Sequence, residues 1–152
     1  MKKILLAVWC SLMVALTMNA QTLSGNEVID GMLEAADEIA LSYEKELEKQ
    51  GLESQIKIYF DPNENELVYS FRVFSQEVFD VLDTENGLAG SITGMINAVM
   101  AEDNTGNAIV WIGNEFKKTN TGMRMECRYK GQKKSSSATA DQIIEIIYKT
   151  FQ

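Results

Sequence analysis

The sequence predicts an α+β fold: a two-layer sandwich in the order α-β-β-α-β-β-α, with a four-stranded antiparallel sheet and the helices on one face. Three observations carry this expectation. Apolar residues alternate with polar ones in two separated regions, 55–73 and 123–130, which is the period of half-buried strands. Apolar residues spaced three and four apart occur before, between and after those regions, which is the period of helices. Short polar connections favour antiparallel hairpins, since parallel neighbours need longer crossovers.

The first twenty residues stand apart from this pattern. Lys2 and Lys3 precede an apolar stretch from Ile4 to Leu16, broken only by Ser11, and Thr17-Met18-Asn19-Ala20 follows. That is the layout of a cleaved secretory signal peptide, with Gln21 as the first mature residue. The thirteen residues of the stretch are too few to span a bilayer, which takes about 20. Cys10 sits in the middle of the stretch behind the bulky Trp9, which argues against lipid attachment there. The expectation is an exported protein, periplasmic or extracellular, with residues 21–152 forming a single domain.

The elements then follow in order. Ser24 and Glu27 have capping-box spacing, and Val28, Met32, Ala36, Ile39, Tyr43 and Leu47 form one face of a first helix. Gly51 can take the left-handed conformation that ends a helix, with Leu52 packing back. Ile56, Ile58 and Phe60 make a first strand. The turn Asp61-Pro62-Asn63-Glu64-Asn65 leads into a second through Leu67, Tyr69, Phe71 and Val73. Ser75 is the expected N-cap of a second helix, stapled by Phe74 and Phe79 and interrupted at Asn86-Gly87. Its continuation through Ile92, Met95, Ile96 and Val99 carries a bare stripe at Gly90, Gly94 and Ala98, expected to press against the sheet.

Ala108, Val110 and Ile112 alternate with Ile109, Trp111 and Gly113 as a third strand. Met123, Met125, Cys127 and Tyr129 alternate with Arg124, Glu126, Arg128 and Lys130 as a fourth. A loop over 131–137 leads to a last helix, capped by Thr139 with Gln142, that buries Ile143, Ile144, Ile147 and Phe151. In element order the chain resembles the small acidic chaperones of bacterial secretion systems. Those usually carry a fifth strand and act inside the cell, so the resemblance implies a fold and no activity.

Composition excludes more than it assigns. There is no histidine, which removes Ser-His-Asp and Cys-His nucleophile systems and His-ligated zinc. After signal cleavage only Cys127 remains, so no intrachain disulfide or thiolate cluster can form, and Cys127 reads as buried filler. The net charge of −8 is unevenly spread. Residues 21–104 hold eighteen acids and four bases, whereas residues 105–152 hold four acids and eight bases. Such asymmetry can steer partners or subunits together.

Three constellations fail as sites. Asp61-Pro62-Asn63-Glu64-Asn65 begins like a calcium loop but places Glu66 where glycine is needed and Arg72 where the bidentate glutamate belongs. Gly87, Gly90 and Gly94 lack the lysine and spacing of a phosphate loop. The acid pairs Glu77 with Asp80 and Glu102 with Asp103 have nothing in the sequence to set them across a cleft, as carboxylate hydrolysis requires.

The outward face of the sheet is the candidate binding surface. Lys57, Tyr59, Arg72, Arg124, Arg128 and Lys130 fall on the parity opposite to the apolar residues. A basic, aromatic-bearing face on an acidic protein suits a protein or other anionic ligand, including the acidic first helix of a second copy in a homodimer. Nucleic acid is disfavoured by the net negative charge and by export. The expected function is a small exported non-enzymatic binding module, without metal or cofactor. The alternative is a periplasmic chaperone-like or inhibitor-like protein holding a client in an apolar groove lined by Met95, Met100, Met123 and Met125. A carboxylate-based hydrolase comes last.

Overall fold

The computed structural model describes residues 23–101 and 106–151. The signal segment lies outside the described residues, as do Glu102 and Asp103. The chain runs through α1 (Glu27–Glu34), α2 (Ala36–Lys49), β1 (Ser54–Asp61), β2 (Glu66–Val73), α3 (Gln76–Val81) and α4 (Thr84–Met100). It then continues through α5 (Asn107–Thr119), β3 (Gly122–Tyr129), β4 (Gln132–Ala138) and α6 (Ala140–Thr150). With consecutive helices grouped, this is the expected alternation of helical and paired-strand segments, and the class is α+β.

The sheet order is β1-β2-β3-β4. The expected all-antiparallel sheet is corrected to a mixed one: β1 pairs antiparallel with β2 and β3 with β4, but β2 and β3 run parallel. The cause lies at residues 107–119. The sequence predicts a strand over 108–113, whereas these residues belong to α5, which buries Ala108, Ile112 and Phe116 at helical spacing while Val110 faces solvent. A short run that is apolar at every position carries no period, so its β-branched residues suggested a strand where tertiary packing selects a helix. Three helices then separate β2 from β3, and a connection that long returns the chain to the same end of the sheet.

The missing strand is β4, in the segment expected to be a loop. Gln132-Lys133-Lys134-Ser135-Ser136-Ser137-Ala138 has no apolar alternation, and it occupies an edge of the sheet where only Ala138 is buried. Lysines on an edge discourage pairing with other chains. The two-residue turn that makes this hairpin has positive φ at both positions, 43° at Lys130 and 80° at Gly131. That matches the tight turn whose twist suits paired strands, in which asparagine normally precedes glycine. Lys130→Asn is expected to raise stability by about 0.5 kcal/mol, because asparagine tolerates the left-handed region better than lysine. The shift of the urea midpoint at constant m-value measures it.

Buried side chains from α1, α2, α4, α5 and α6 cluster with Ile56, Ile58, Leu67, Tyr69, Phe71, Met123 and Met125, one face of the sheet. Val78 and Phe79 of α3 cover the end of that face at Val73 and Cys127. Cys127 is free and buried, and burial pushes its thiol pKa up, as expected of inert filler. Met95, Met123 and Met125, named above as lining for an apolar groove, are buried in this core.

Helix punctuation follows the sequence in most places. Thr139 and Gln142 form the expected capping box, Ser75 caps α3, and at the end of α2 the Leu52 N–H reaches back to the Leu47 carbonyl around Gly51. Three details differ. The first N-cap is Asn26, whose Oδ1 accepts from the Val28 and Ile29 N–H groups while its Nδ2 donates to Thr119 at the end of α5. Ser24 instead bonds Asp30. That long-range partner for Asn26 is invisible to local spacing.

The second helical segment breaks at Leu82-Asp83 rather than at Asn86-Gly87, because Asp83 caps α4 by accepting from the Glu85 and Asn86 N–H groups. The stripe of Gly90, Gly94 and Ala98 is exposed, opposite Ile92 and Ile96, and does not press on the sheet. Burying branched apolar side chains outweighs the close approach that small residues permit. The tight contact is at Gly87, whose α-carbon faces Met125.

Candidate functional site

The face of the sheet opposite the core is organised in rows set by strand register. Gln55, Arg72, Arg128 and Lys133 lie side by side across β1 to β4. The next row is Lys57, Ser70, Glu126 and Ser135, and the third is Tyr59, Val68, Arg124 and Ser137. At the far end stand Asp61 and Glu66, the closing pair of the first hairpin.

Charges on this face are neutralised at one end and in excess at the other. Arg124 is largely buried, with Nη1 2.7 Å from Glu66 Oε2 and Nη2 3.2 Å from Asp61 Oδ2. Asp61 also accepts from the Asn63 and Glu64 N–H groups, so the loop that resembles a calcium site spends its leading carboxylate on its own turn and on Arg124. Burial opposes ionisation of Asp61, yet the Arg124 bond and these N–H groups hold its pKa below the ordinary value.

Glu126 is the hub of the other end. Its side chain is fully covered, 0 % exposed, although it points away from the apolar core. Oε1 accepts from Ser70 Oγ at 2.9 Å and from Arg128 Nε at 2.8 Å. Oε2 lies 3.5 Å from Lys133 Nζ and 3.6 Å from Arg124 Nε. Burial alone would raise its pKa, but the hydrogen bonds from Arg128 and Ser70 and the charges of Arg128 and Lys133 outweigh it and hold the carboxyl below the ordinary value. Glu126 is therefore ionised at neutral pH, and it anchors Arg128.

Beside this hub the face sinks into a depression of about 520 Å³. Lys57, Arg72, Arg128 and Lys130 line it, together with Gln55 and Ser70; Phe74 and Tyr129 contribute aromatic surface, and among the described residues no carboxylate is part of its wall. Lys57, Arg72 and Lys130 make no ion pair among the described residues. Lys130 Nζ sits 5.2 Å from the centre of the Tyr129 ring. The size falls in the range of small-molecule sites, about 300–1,000 Å³.

The six residues singled out from the sequence thus divide. Lys57, Arg72, Arg128 and Lys130 come together at the depression. Tyr59 and Arg124 share the face but lie outside the wall, with Arg124 committed to Asp61 and Glu66. Sequence reasoning missed the role of Glu126, although its placement between Arg124 and Arg128 at steps of two was a usable signal. It also missed Lys133, whose segment carries no strand pattern. Among the described residues no group of His, Cys, Asp and Glu is arranged to hold a metal, and no helix is long and apolar enough to cross a membrane. Comparisons with protein-family models, with curated proteins and with solved structures returned no match.

Proposed function

We propose that this protein is a small exported, non-enzymatic binding module that engages an anionic ligand or an acidic partner surface through the basic end of its sheet face. The observation that carries this reading is the depression walled by Lys57, Arg72, Arg128 and Lys130, with no carboxylate lining it among the described residues, on a chain whose net charge is −8. Arg72 and Arg128 stand directly beside one another across parallel strands. Like charges so placed cost stability, and a bound anion offsets that cost. The acids Asp37, Glu38, Glu46 and Glu48 along the exposed side of α2 make a second copy of the chain one such acidic surface.

Fluorescence anisotropy with labelled polyglutamate tests the reading. Binding is expected in low salt and is expected to fall at least tenfold, by order of magnitude, between 0.1 M and 1 M salt, where the screening length drops from about 10 Å to about 3 Å. Arg72→Glu, at an exposed residue with no ion pair among the described residues, is expected to weaken binding by a similar factor at low salt. Light scattering at both salt concentrations identifies the partner as a second copy if a dimer forms only at low salt. Polyglutamate binding that ignores both salt and Arg72→Glu rules the basic face out.

A further inference from the structure

We infer that the depression is a receptor site for a phosphate monoester, with the phosphoryl group between Arg72 and Arg128 and the organic part against Phe74. This rests on the anion-binding reading above and names its ligand class. The two guanidinium groups belong to directly paired residues of neighbouring strands, whose backbones lie roughly 4.8 Å apart. A single carboxylate has two oxygens and one charge and saturates one fork. A phosphate monoester presents three terminal oxygens and nearly two negative charges at neutral pH, enough to accept from both forks.

The lining around the two arginines fits that division. Lys57 and Lys130 add point charges to the same wall. Phe74, nearly half exposed at 47 %, gives the wall an apolar surface that a bare inorganic ion would leave unused. Glu126 acts as a positioning residue: it takes Arg128 through Nε, which leaves the terminal nitrogens of that fork to the ligand. Ser70, which lines the depression, donates to the same Glu126 oxygen, so the carboxylate is held from the ligand's side as well. A soluble phosphate ester and a phosphate-bearing lipid surface share this chemistry.

Isothermal titration of the protein expressed from its full chain, with phenyl phosphate, inorganic phosphate and benzoate, tests the inference. Phenyl phosphate is expected to bind about tenfold more tightly than benzoate and more tightly than inorganic phosphate. Arg72→Lys keeps the charge and removes the fork, so it is expected to weaken phenyl phosphate by about tenfold while leaving polyglutamate nearly unchanged. Glu126→Gln separates positioning from bulk charge. Removing a nearby negative charge alone would tighten an anion, whereas loss of the anchor for Arg128 is expected to weaken phenyl phosphate about threefold or more.

Sedimentation with vesicles containing phosphatidic acid distinguishes a lipid source, if the protein pellets with them, from a soluble ester, if it does not while phenyl phosphate binds. Benzoate binding as tightly as phenyl phosphate, or polyglutamate binding with no response to either phosphate, overturns the phosphate inference and leaves the anion-binding reading standing. Absence of binding to every anion overturns both. Tighter phenyl phosphate binding by Glu126→Gln overturns the positioning role.

Discussion

Glu126→Ala is expected to lower the unfolding free energy at pH 7 by about 2–4 kcal/mol, with Glu126→Gln costing roughly half as much. Arg128, Lys133 and Arg124 converge on the two carboxylate oxygens of Glu126, and Ser70 donates to one of them. Removing one member of a buried ion cluster leaves the others uncompensated, which costs more than the pair contributed net. The loss stays below the top of the range for deep pairs because Arg128 and Lys133 are themselves about half exposed, at 54 % and 48 %, and water can solvate them.

The same residue gives the protein an acid dependence of definite sign. Glu126 has its folded pKa below the ordinary 4.5, so at pH values between the two the unfolded chain binds more protons. Its contribution is present above the ordinary value and is lost as pH falls through the depressed one. Denaturation midpoints measured from pH 7 down to pH 3 are expected to decline more steeply for the native chain than for Glu126→Gln. Parallel curves would mean that other carboxylates carry the acid sensitivity.

Phe116→Ala is expected to cost about 3–5 kcal/mol, the range for deleting a fully buried aromatic side chain. For a domain of this size the melting temperature should fall by roughly 10–20 °C. Phe116 is 0 % exposed and belongs to the same core as Ile92, Met123, Ile143 and Ile147. The paired control is Val110→Ala, expected to change stability by no more than about 0.5 kcal/mol because Val110 faces solvent. A strand over 108–113 would place Val110 on the same face as Ile112, and the two would respond alike to truncation. Helix α5 separates them, so thermal melts of Val110→Ala and Ile112→Ala decide the matter: a large loss for Ile112 beside a negligible one for Val110.

The sequence was legible where its period was unambiguous and its ends were marked by local chemistry. Val28, Met32, Ala36, Ile39, Tyr43 and Leu47 all turn inward along α1 and α2, and Ile143 and Ile147 do so in α6. Strands β1, β2 and β3 show the parity expected of them, which is why Lys57, Arg72 and Arg128 of the depression could be named without a structure, whereas Lys130, expected on a strand, lines it from the turn after β3. Legibility failed where a local pattern was uniform or absent. Residues 108–113 are apolar on every side, and 132–138 are polar throughout except at Ala138, so neither segment could declare its period.

What the sequence determined by itself, then, is the α+β class, the inward parity of three strands, most of the helix caps, and the concentration of bases on the outward side of the sheet. These are properties of residues a few positions apart, where spacing maps directly onto direction. Only the tertiary structure decided that β2 and β3 run parallel, that α5 is a helix, and that a serine- and lysine-rich edge completes the sheet. It alone brought Arg72 beside Arg128 and set Glu126 under the latter's guanidinium group. Those outcomes depend on partners distant in sequence, such as Ser70 for Glu126, Glu66 for Arg124 and Thr119 for Asn26. The energy of such contacts is gained only when the whole chain closes, and no local window contains it.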